Sequence, residues 1–521
     1  MIRIGIDVGG TNTDAVALNG TAVLHAIKTA TTQDVTGGIL AALRAVLAGA
    51  GLAASQVGAV MIGTTHFTNA VVQRRGLARI GAIRVGLPAA ASLPPFIDWP
   101  DDLRDAVRGP VVMLHGGHEV DGRELVPFDL AAMRAAARAM AGMPAIGVCA
   151  VFSPLNDAAE QAAAAILAEE APGAAVTLSH ALGRIGLLAR ENVCLLNAAL
   201  APLAARTVAA FRAALAASGI AAPLFITQND GTVATADEAA AFPVRSFASG
   251  PTNSLRGAAF LSGLQDAMVV DVGGTTTDVG SLVQGFPRAA NNVVEIGGVR
   301  TLFRMPDLLS VGLGGGTLVD PADPAKIGPL SVGYRLAERA RVFGGPDLTC
   351  TDIAVAAGLV ALGDPARVAG LDRSFVTAAL ARMHAIIAEA VDRMRADATP
   401  RPLVAVGGAA FLVPDTLPGV SRVMRVANQG VANALGAAIA QVSGEVDQVF
   451  QGMGRAAALA QAQQIATARA VRAGAAPASI VLVDQEDTPI AYLPGDSLRV
   501  RARVVGDVAA WSATSANPDG C

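Results

Sequence analysis

The chain opens on an apolar strand, Ile2–Ile6, that runs directly into Asp7 and a pair of glycines. An extended segment at Ala22–Thr29 and an Ala/Leu-periodic helix over Thr36–Gly49 follow, then a strand at Ala59–Ile62 and a helix start at Thr65–Thr68. Leu87–Pro110 is rich in proline and carries Phe96 and Trp99, which reads as a surface loop or lid. The apolar strand Ala145–Phe152 precedes a helix, Asp157–Glu170, whose amino end is marked by Asn156 and Asp157. A strand at Ala175–Ser179 comes next. The long helical stretch Glu191–Ala217 reads as a crossing between two domains, the second opening at Leu224–Thr227 and running to about Val442. An Ala/Gln helix over Gln448–Ala473 and strands at Ile480–Asp484 and Ser497–Val505 form a tail, read as a small third domain or an interface element. Strands alternating with helices predict an α/β fold, with domains at 1–190, 191–445 and 446–521.

Composition narrows this. A chain of 521 residues is too long for one hydrophobic core, and 52% apolar with 16% charged residues suits buried parallel sheets rather than disorder. The longest uncharged stretch, Ala139–Leu155, is broken by Gly142, Pro144, Gly147 and Pro154, so no membrane span is read there. A strand beginning at residue 2 leaves no room for a signal peptide, and a cytoplasmic location is expected. Cys149, Cys194, Cys350 and Cys521 are too scattered for a zinc knuckle or a disulfide framework. A net charge of −4 with no basic cluster gives no electrostatic case for nucleic acid. Arg greatly outnumbers Lys, which reads as genome composition.

The most informative feature is an internal echo. Asp7-Val-Gly-Gly-Thr-Asn-Thr-Asp14 returns as Asp271-Val-Gly-Gly-Thr-Thr-Thr-Asp278, identical at seven of eight positions and preceded each time by an apolar run. An Asp at a strand's carboxyl end followed by Gly-Gly-Thr makes a tight turn that presents backbone N–H groups. Only glycine lets a phosphate approach that backbone closely. Gly9, Gly10, Thr11, Asn12 and Thr13, and Gly273, Gly274, Thr275, Thr276 and Thr277, are therefore expected to cradle phosphates. Asp7 and Asp271 are expected on the magnesium side, with Asp14 or Asp278 orienting the attacking group. The alternative is a duplicated hairpin turn with no ligand. No Gly-Lys pair exists in the chain and no Gly-x-Gly-x-x-Gly follows a strand, which argues against P-loop and Rossmann sites.

Paired loops of this kind resemble the two phosphate loops of the actin, sugar-kinase and heat-shock ATPase superfamily. Leu403-Val-Ala-Val-Gly407-Gly408-Ala-Ala410 resembles its adenosine motif and stands in the right order. Further segments are similar to the hydantoinase/oxoprolinase family: Gly63-Thr64-Thr65-His66-Phe67-Thr68-Asn69-Ala70, Ser249-Gly250-Pro251, Asn229-Asp230-Gly231 with one departure at its middle residue, and Val311-Gly-Leu-Gly314-Gly315-Gly316-Thr317 with Thr where Ser is usual. The match runs over roughly Ile2–Ala440; long members of the family continue into a further domain, and this chain has about eighty residues left. The resemblance implies two actin/ribonuclease-H-like domains around a cleft holding ATP and Mg²⁺. It implies Gly314, Gly315, Gly407 and Gly408 at the nucleotide, and Thr64, Thr65, His66, Asn69, Asn229 and Ser249 toward a substrate. The implied reaction is phosphorylation of a cyclic amide at its carbonyl oxygen, followed by ring opening, with a second hydrolase subunit and an oligomeric assembly as partners. A small-molecule kinase and a partner-regulating ATPase remain open. His115-Gly-Gly-His118-Glu119-Val-Asp121-Gly122 holds enough ligand types for a metal, yet its spacing equally describes a polar loop or a hairpin turn. His25, His180 and His384 read as structural or surface residues.

Overall fold

A computed structural model describes the chain except residues 10–11, 31–34, 184, 291–293, 303–304, 491–496 and 511–521. In chain order its strands are β1 (Ile2–Val8), β2 (Asn12–Asn19), β3 (Ala22–Ala30), β4 (Val57–Thr64), β5 (Ile80–Leu87), β6 (Arg108–His115), β7 (Ala145–Ala150), β8 (Ala175–Leu178), β9 (Leu224–Thr227) and β10 (Thr232–Thr235). Then come β11 (Ala267–Val272), β12 (Thr277–Val283), β13 (Phe286–Pro287), β14 (Val294–Ile296), β15 (Val299–Thr301), β16 (Leu308–Val311), β17 (Thr317–Asp320) and β18 (Asp323–Ser331). The last are β19 (Arg401–Val406), β20 (Val420–Arg425), β21 (Gln441–Phe450), β22 (Val481–Pro489) and β23 (Leu498–Gly506).

Two sheets share one plan. In the first, β1 pairs antiparallel with β2 and β2 with β3, while β4 lies parallel to β1 on its other side and β9 parallel to β4. In the second, β11 pairs antiparallel with β12 and β12 with β13, while β19 and then β20 run parallel on the far side of β11. This is the strand order of an actin/ribonuclease-H-like domain, built twice. Helices cover both faces of the first sheet: Ile4 and Ile6 pack beneath the helix Val35–Ala50, while Val16 and Leu18 pack against Ala434, Leu435 and Ala438. Burial on both faces explains why β1, β4 and β11 read as largely apolar runs. A third sheet, β6-β5-β7-β8, is wholly parallel and is inserted between β4 and β9.

Sheet pairing redraws several expectations. β9, expected to open the second domain, belongs to the first sheet. The C-terminal strands form no separate tail: β21 runs parallel to β10, and β23 and β22 follow it, so the first sheet reaches nine strands and runs across the expected divisions at 190 and 445. Local pattern reports that a strand exists, but its partner is chosen by distant sequence. The helix read over Gln448–Ala473 is Arg455–Arg472, because Gln448 belongs to β21. Its buried stripe Ala458, Ala462, Ala466 and Ala470 lets it lie against β21, where a Cβ on Gly444 would stand 2.0 Å from the Ala466 carbonyl. Nor is 87–110 a lid. Phe96 and Trp99 are buried edge-to-face at 4.9 Å, and the Trp99 indole N–H donates to Asn192 at 2.7 Å.

The long helix Leu187–Ala217 supplies that asparagine. It is apolar and long enough to cross a membrane, as is Arg373–Met394, but most of its apolar window is packed as core between the inserted sheet and the first sheet. It does not join the two halves that carry the repeated hairpins. The chain passes between them through Ser249–Ser262, which leads to β11, and Ala432–Ala438, which returns to β21. These crossing helices touch backbone to backbone. A Cβ on Gly257 would sit 1.9 Å from the Ala432 carbonyl oxygen, and one on Gly436 1.8 Å from that of Asn253.

Candidate functional site

Over their described residues both octamers pair in the same way. Asp7 lies opposite Asp14 and Val8 opposite Thr13; Asp271 lies opposite Asp278 and Val272 opposite Thr277. The turns close alike, Gly9 N–H donating to the Asn12 carbonyl at 3.0 Å and Gly273 N–H to that of Thr276 at 2.9 Å. Gly10 and Thr11 lie outside the described residues. Thr275 and Thr276 stand exposed at the tip of the second turn, whereas Thr277 is buried with its hydroxyl donating to the Leu313 carbonyl at 2.6 Å. Thr277 therefore holds the loop and does not offer its hydroxyl to a ligand. Thr13 is buried likewise.

The triple-glycine segment proves to be the support of this second turn. Gly315 and Gly316 N–H donate to the carbonyls of Gly273 and Gly274 at 3.0 and 2.7 Å, and Gly314 N–H donates to the Thr317 hydroxyl at 2.8 Å. A Cβ on Gly314 would stand 2.6 Å from the Thr275 nitrogen, so only glycine admits this stacking of loop on loop. Gly314 and Gly315, expected at the nucleotide, are buried with their donors spent, and they shape the second glycine turn from beneath. Gly407 follows β19 with φ 93°, and a Cβ there would strike Asp271 Oδ1 at 2.2 Å. Gly408 is exposed with open space beside it, as a surface that receives a ligand requires.

Electrostatics links the four carboxylates of the hairpins in a chain, Asp7 to Asp14 and Asp271, and Asp271 to Asp278. Burial pushes Asp7 up to about 6, reinforced by the charges of Asp14 and Asp271, and opposed by amide hydrogen bonds from Asn253 (3.3 Å) and Asn433 (3.0 Å). Burial likewise raises Asp14 and Asp271, and it lifts Asp278 to about 6 with help from Asp271. Lys28 opposes the rise at Asp14, its ammonium 2.7 and 2.6 Å from the two carboxylate oxygens, and its charge also holds Asp271 down. Such a site carries more negative charge than its own surroundings neutralise. It suits a ligand that arrives with a divalent cation.

The expected substrate residues divide. Thr65, His66 and Asn69 lie at the start of the helix His66–Gln73, just beyond β4 and beside Asp7's neighbour Gly63. Asn69 donates to the Thr65 hydroxyl at 3.3 Å, and partial burial lowers the basicity of His66. Thr64, Asn229 and Ser249 are buried and engaged. Thr64's hydroxyl accepts from His66 N–H at 3.2 Å, and Ser249's donates to the Thr64 carbonyl at 3.0 Å. Asn229 spans 244–248, donating to the Val244 carbonyl at 3.1 Å and accepting from Ala248 N–H at 2.8 Å. These three brace the entry to the crossing helix rather than face a substrate. The 115–122 segment is a turn: Gly122 N–H returns to the Glu119 carbonyl at 3.0 Å, and Arg123 pairs with Asp121. Among the described residues no group of three His, Cys, Asp or Glu is placed to hold a metal. His180 is structural, hydrogen-bonded through Nδ1 to buried Glu160 at 2.6 Å.

Sequence reading missed Lys28, Asn253, Asn433, Ser254 and Ser310, whose side chains meet the four carboxylates. Asn253 could have been found two residues past Ser249-Gly250-Pro251, and Lys28 by the rarity of its type.

A model of the hydantoinase/oxoprolinase N-terminal region matches residues 3–171, and the hydantoinase/oxoprolinase model matches residues 190–364. The chain belongs to the hydantoinase/oxoprolinase family. It is 26% identical over 390 residues to the caprolactamase subunit alpha of Pseudomonas jessenii, covering 69% of this chain and 55% of that one. It is 28% identical over 393 residues to the acetophenone carboxylase gamma subunit of Aromatoleum aromaticum, covering 68% and 53%. The chain thus spans about half the length of these relatives. Its fold matches the solved ATP-dependent caprolactamase of P. jessenii (TM-score 0.75, 18% identity, 97% of this chain and 88% of that one). It also matches nucleotide-free acetone carboxylase (TM-score 0.70, 19% identity, 98% and 88%).

Proposed function

We propose that this hydantoinase/oxoprolinase-family chain binds ATP with Mg²⁺ between its two hairpins and drives the opening of a cyclic amide. The observation that carries this reading is the duplicated Asp-Gly-Gly-Thr hairpin, which gathers four carboxylates, Asp7 and Asp14 buried and Asp271 and Asp278 half-buried, at two glycine turns. An unstrained ring amide is held by resonance and has a poor leaving group. Phosphorylation of its carbonyl oxygen gives an imidate that water can attack, and positioning with charge neutralisation supplies most of the catalysis.

Asp7 and Asp271 are the residues that would hold Mg²⁺. Hard oxygen donors whose carboxyls are raised by burial and by the charge of Asp14 fit a cation, and one or two carboxylates suffice where phosphates and water complete the shell. When bound, Mg²⁺ supplies charge neutralisation at the phosphates. Gly273–Thr276 offers the turn that receives a phosphate, Gly408 the surface beside adenosine, and Thr65, His66 and Asn69 the polar wall toward the acceptor. Asp14 or Asp278 orients the attacking water. The relatives named as subunits support a second subunit as partner.

The test is a lactam or hydantoin carrying ¹⁸O in its carbonyl, incubated with the chain, ATP and Mg²⁺. Label is expected in the released phosphate, in equal amount with ring-opened product. Ring opening with unlabelled phosphate would reject the phosphorylated-imidate path. The similarity to a ketone carboxylase subunit favours a second reading in which a ketone oxygen is the acceptor; a carboxylated product formed only with bicarbonate would replace the lactam.

A further inference from the structure

Of the 39 Lys and Arg residues in the chain, only Lys28 and Lys326 are lysines. Lys326 sits on the exposed strand β18, paired with Asp320 at the surface. Lys28 stands in the site. Strand register places Asp7, Asp14 and Lys28 in one row across β1, β2 and β3. The corresponding row of the second sheet runs Asp271, Asp278 and Ser310, with no cation. Among the described residues Lys28 is the one basic group that acts on these carboxylates, and its reach extends from Asp14 to Asp271 in the opposite sheet. Its side chain is 36% exposed, whereas that of Asp14 is buried.

The chain uses arginine for its fixed ion pairs. Arg84 grips Glu191 in the core through two nitrogens, and Arg288, Arg455 and Arg499 each take a carboxylate the same way. A planar fork suits a pair that never parts. A compact ammonium on a flexible stem suits one that must exchange partners.

We propose that Lys28 is the catalytic cation of phosphoryl transfer, its ammonium turning from Asp14 to the transferred γ-phosphoryl group when nucleotide binds. In the transfer the bond from the γ-phosphorus to the β,γ-bridging oxygen breaks and a bond to the acceptor oxygen forms. Lys28 balances charge on the equatorial oxygens and gives up no proton. Its departure leaves the Asp14 carboxylate free to orient the water of the second step. This rests on ATP being the substrate, as proposed above.

The full chain, with its partner subunit if activity needs one, is compared with Lys28→Arg, Lys28→Met, Lys28→Ala and Lys326→Met. Calorimetric binding of a non-hydrolysable ATP analogue is read beside phosphate release. Lys28→Met should cut kcat about 10²–10³-fold, the usual loss for one preorganised donor to transition-state charge, and shift KM for ATP far less. Lys28→Arg keeps the ion pair with Asp14 and should still lose at least tenfold in kcat. Methylammonium should restore part of the turnover of Lys28→Ala. Lys326→Met should match the wild type. Wild-type turnover in Lys28→Arg would overturn the proposal by showing that the residue only pairs with Asp14, as would an absence of amine rescue. A wild-type chain that binds no ATP analogue would instead sink the nucleotide reading itself, and the role of Lys28 with it.

Discussion

At the scale of single residues, the site is held charged against its surroundings. Asp278 has its carboxyl lifted to about 6, against about 3.9 in an unfolded chain. A raised carboxyl contributes stability below the unfolded value and loses it as pH rises through the folded one, so above pH 6 the ionised group is a burden on the fold. Asp278→Asn removes that burden. Its melting temperature should exceed the wild type's at pH 7.5, by a few kcal/mol at most in stability terms at about 1.4 kcal/mol per pKa unit, and the gap should close between about pH 6 and pH 4. Scanning calorimetry of the ligand-free chain across pH measures this; a gap that ignores pH would show that Asp278 does not titrate there. Asp271→Asn should keep the fold and lower ATP turnover about a hundredfold or more. Gly407→Ala is expected to lose both stability and activity, because its Cβ would collide with Asp271 Oδ1 at a backbone φ of 93°. A urea midpoint lower by the equivalent of about 1–3 kcal/mol is the expected reading, and an unchanged midpoint would mean that the turn yields freely.

At the scale of elements, the crossing helices carry more of the site than their length suggests. Ser249–Ser262 supplies Asn253 and Ser254, Ala432–Ala438 supplies Asn433, and both asparagines meet Asp7. Their backbones touch because Gly257 and Gly436 have no side chain. Gly436→Ala must part the helices, and doing so pulls the two amides from Asp7. The expected cost is about 1–3 kcal/mol or more, with weakened nucleotide binding beyond what the lost stability explains. Equal loss in a distant core variant such as Val504→Ala would show that binding follows stability alone.

For the whole molecule, on the proposed reading in which one nucleotide is reached from both hairpins, the pair of crossing helices that joins the two halves is expected to act as the hinge of a closure. Small-angle scattering should report a smaller radius of gyration with a non-hydrolysable ATP analogue and Mg²⁺; an identical profile would mean a preformed cleft. The C-terminal strands are structural at this scale. Val500, Ala502 and Val504 of β23 are fully buried in the first sheet, and β22 forms its outer edge with Val481 and Leu482 exposed. Removing residues after Gly474 should therefore cause aggregation or loss of the folded state, seen as insoluble expression or a missing thermal transition, because it uncovers β21. Partner binding is better probed by Leu482→Lys on the exposed edge.

The two hairpins were legible in the sequence because everything that makes them is local. An apolar strand, an Asp at its end and a glycine turn returning to a second Asp occupy fourteen or fewer contiguous residues, and the repeat shows that both copies serve one design. Glycine at 407 and the support at 314–316 were visible as motifs, but the role of the latter was not. Only the folded chain shows that Gly314 and Gly315 spend their donors beneath the turn. The same holds for Asn229 and Ser249, polar residues whose partners lie on other segments. Sheet membership of β9 and β21–β23, the burial of Trp99, and the meeting of Lys28, Asn253 and Asn433 with the carboxylates all depend on contacts between residues far apart in the chain. Sequence by itself determined the turns, because their geometry is set by neighbours in the chain. Tertiary structure decided which charges are neutralised and which helices join the two halves, because those depend on what burial brings together.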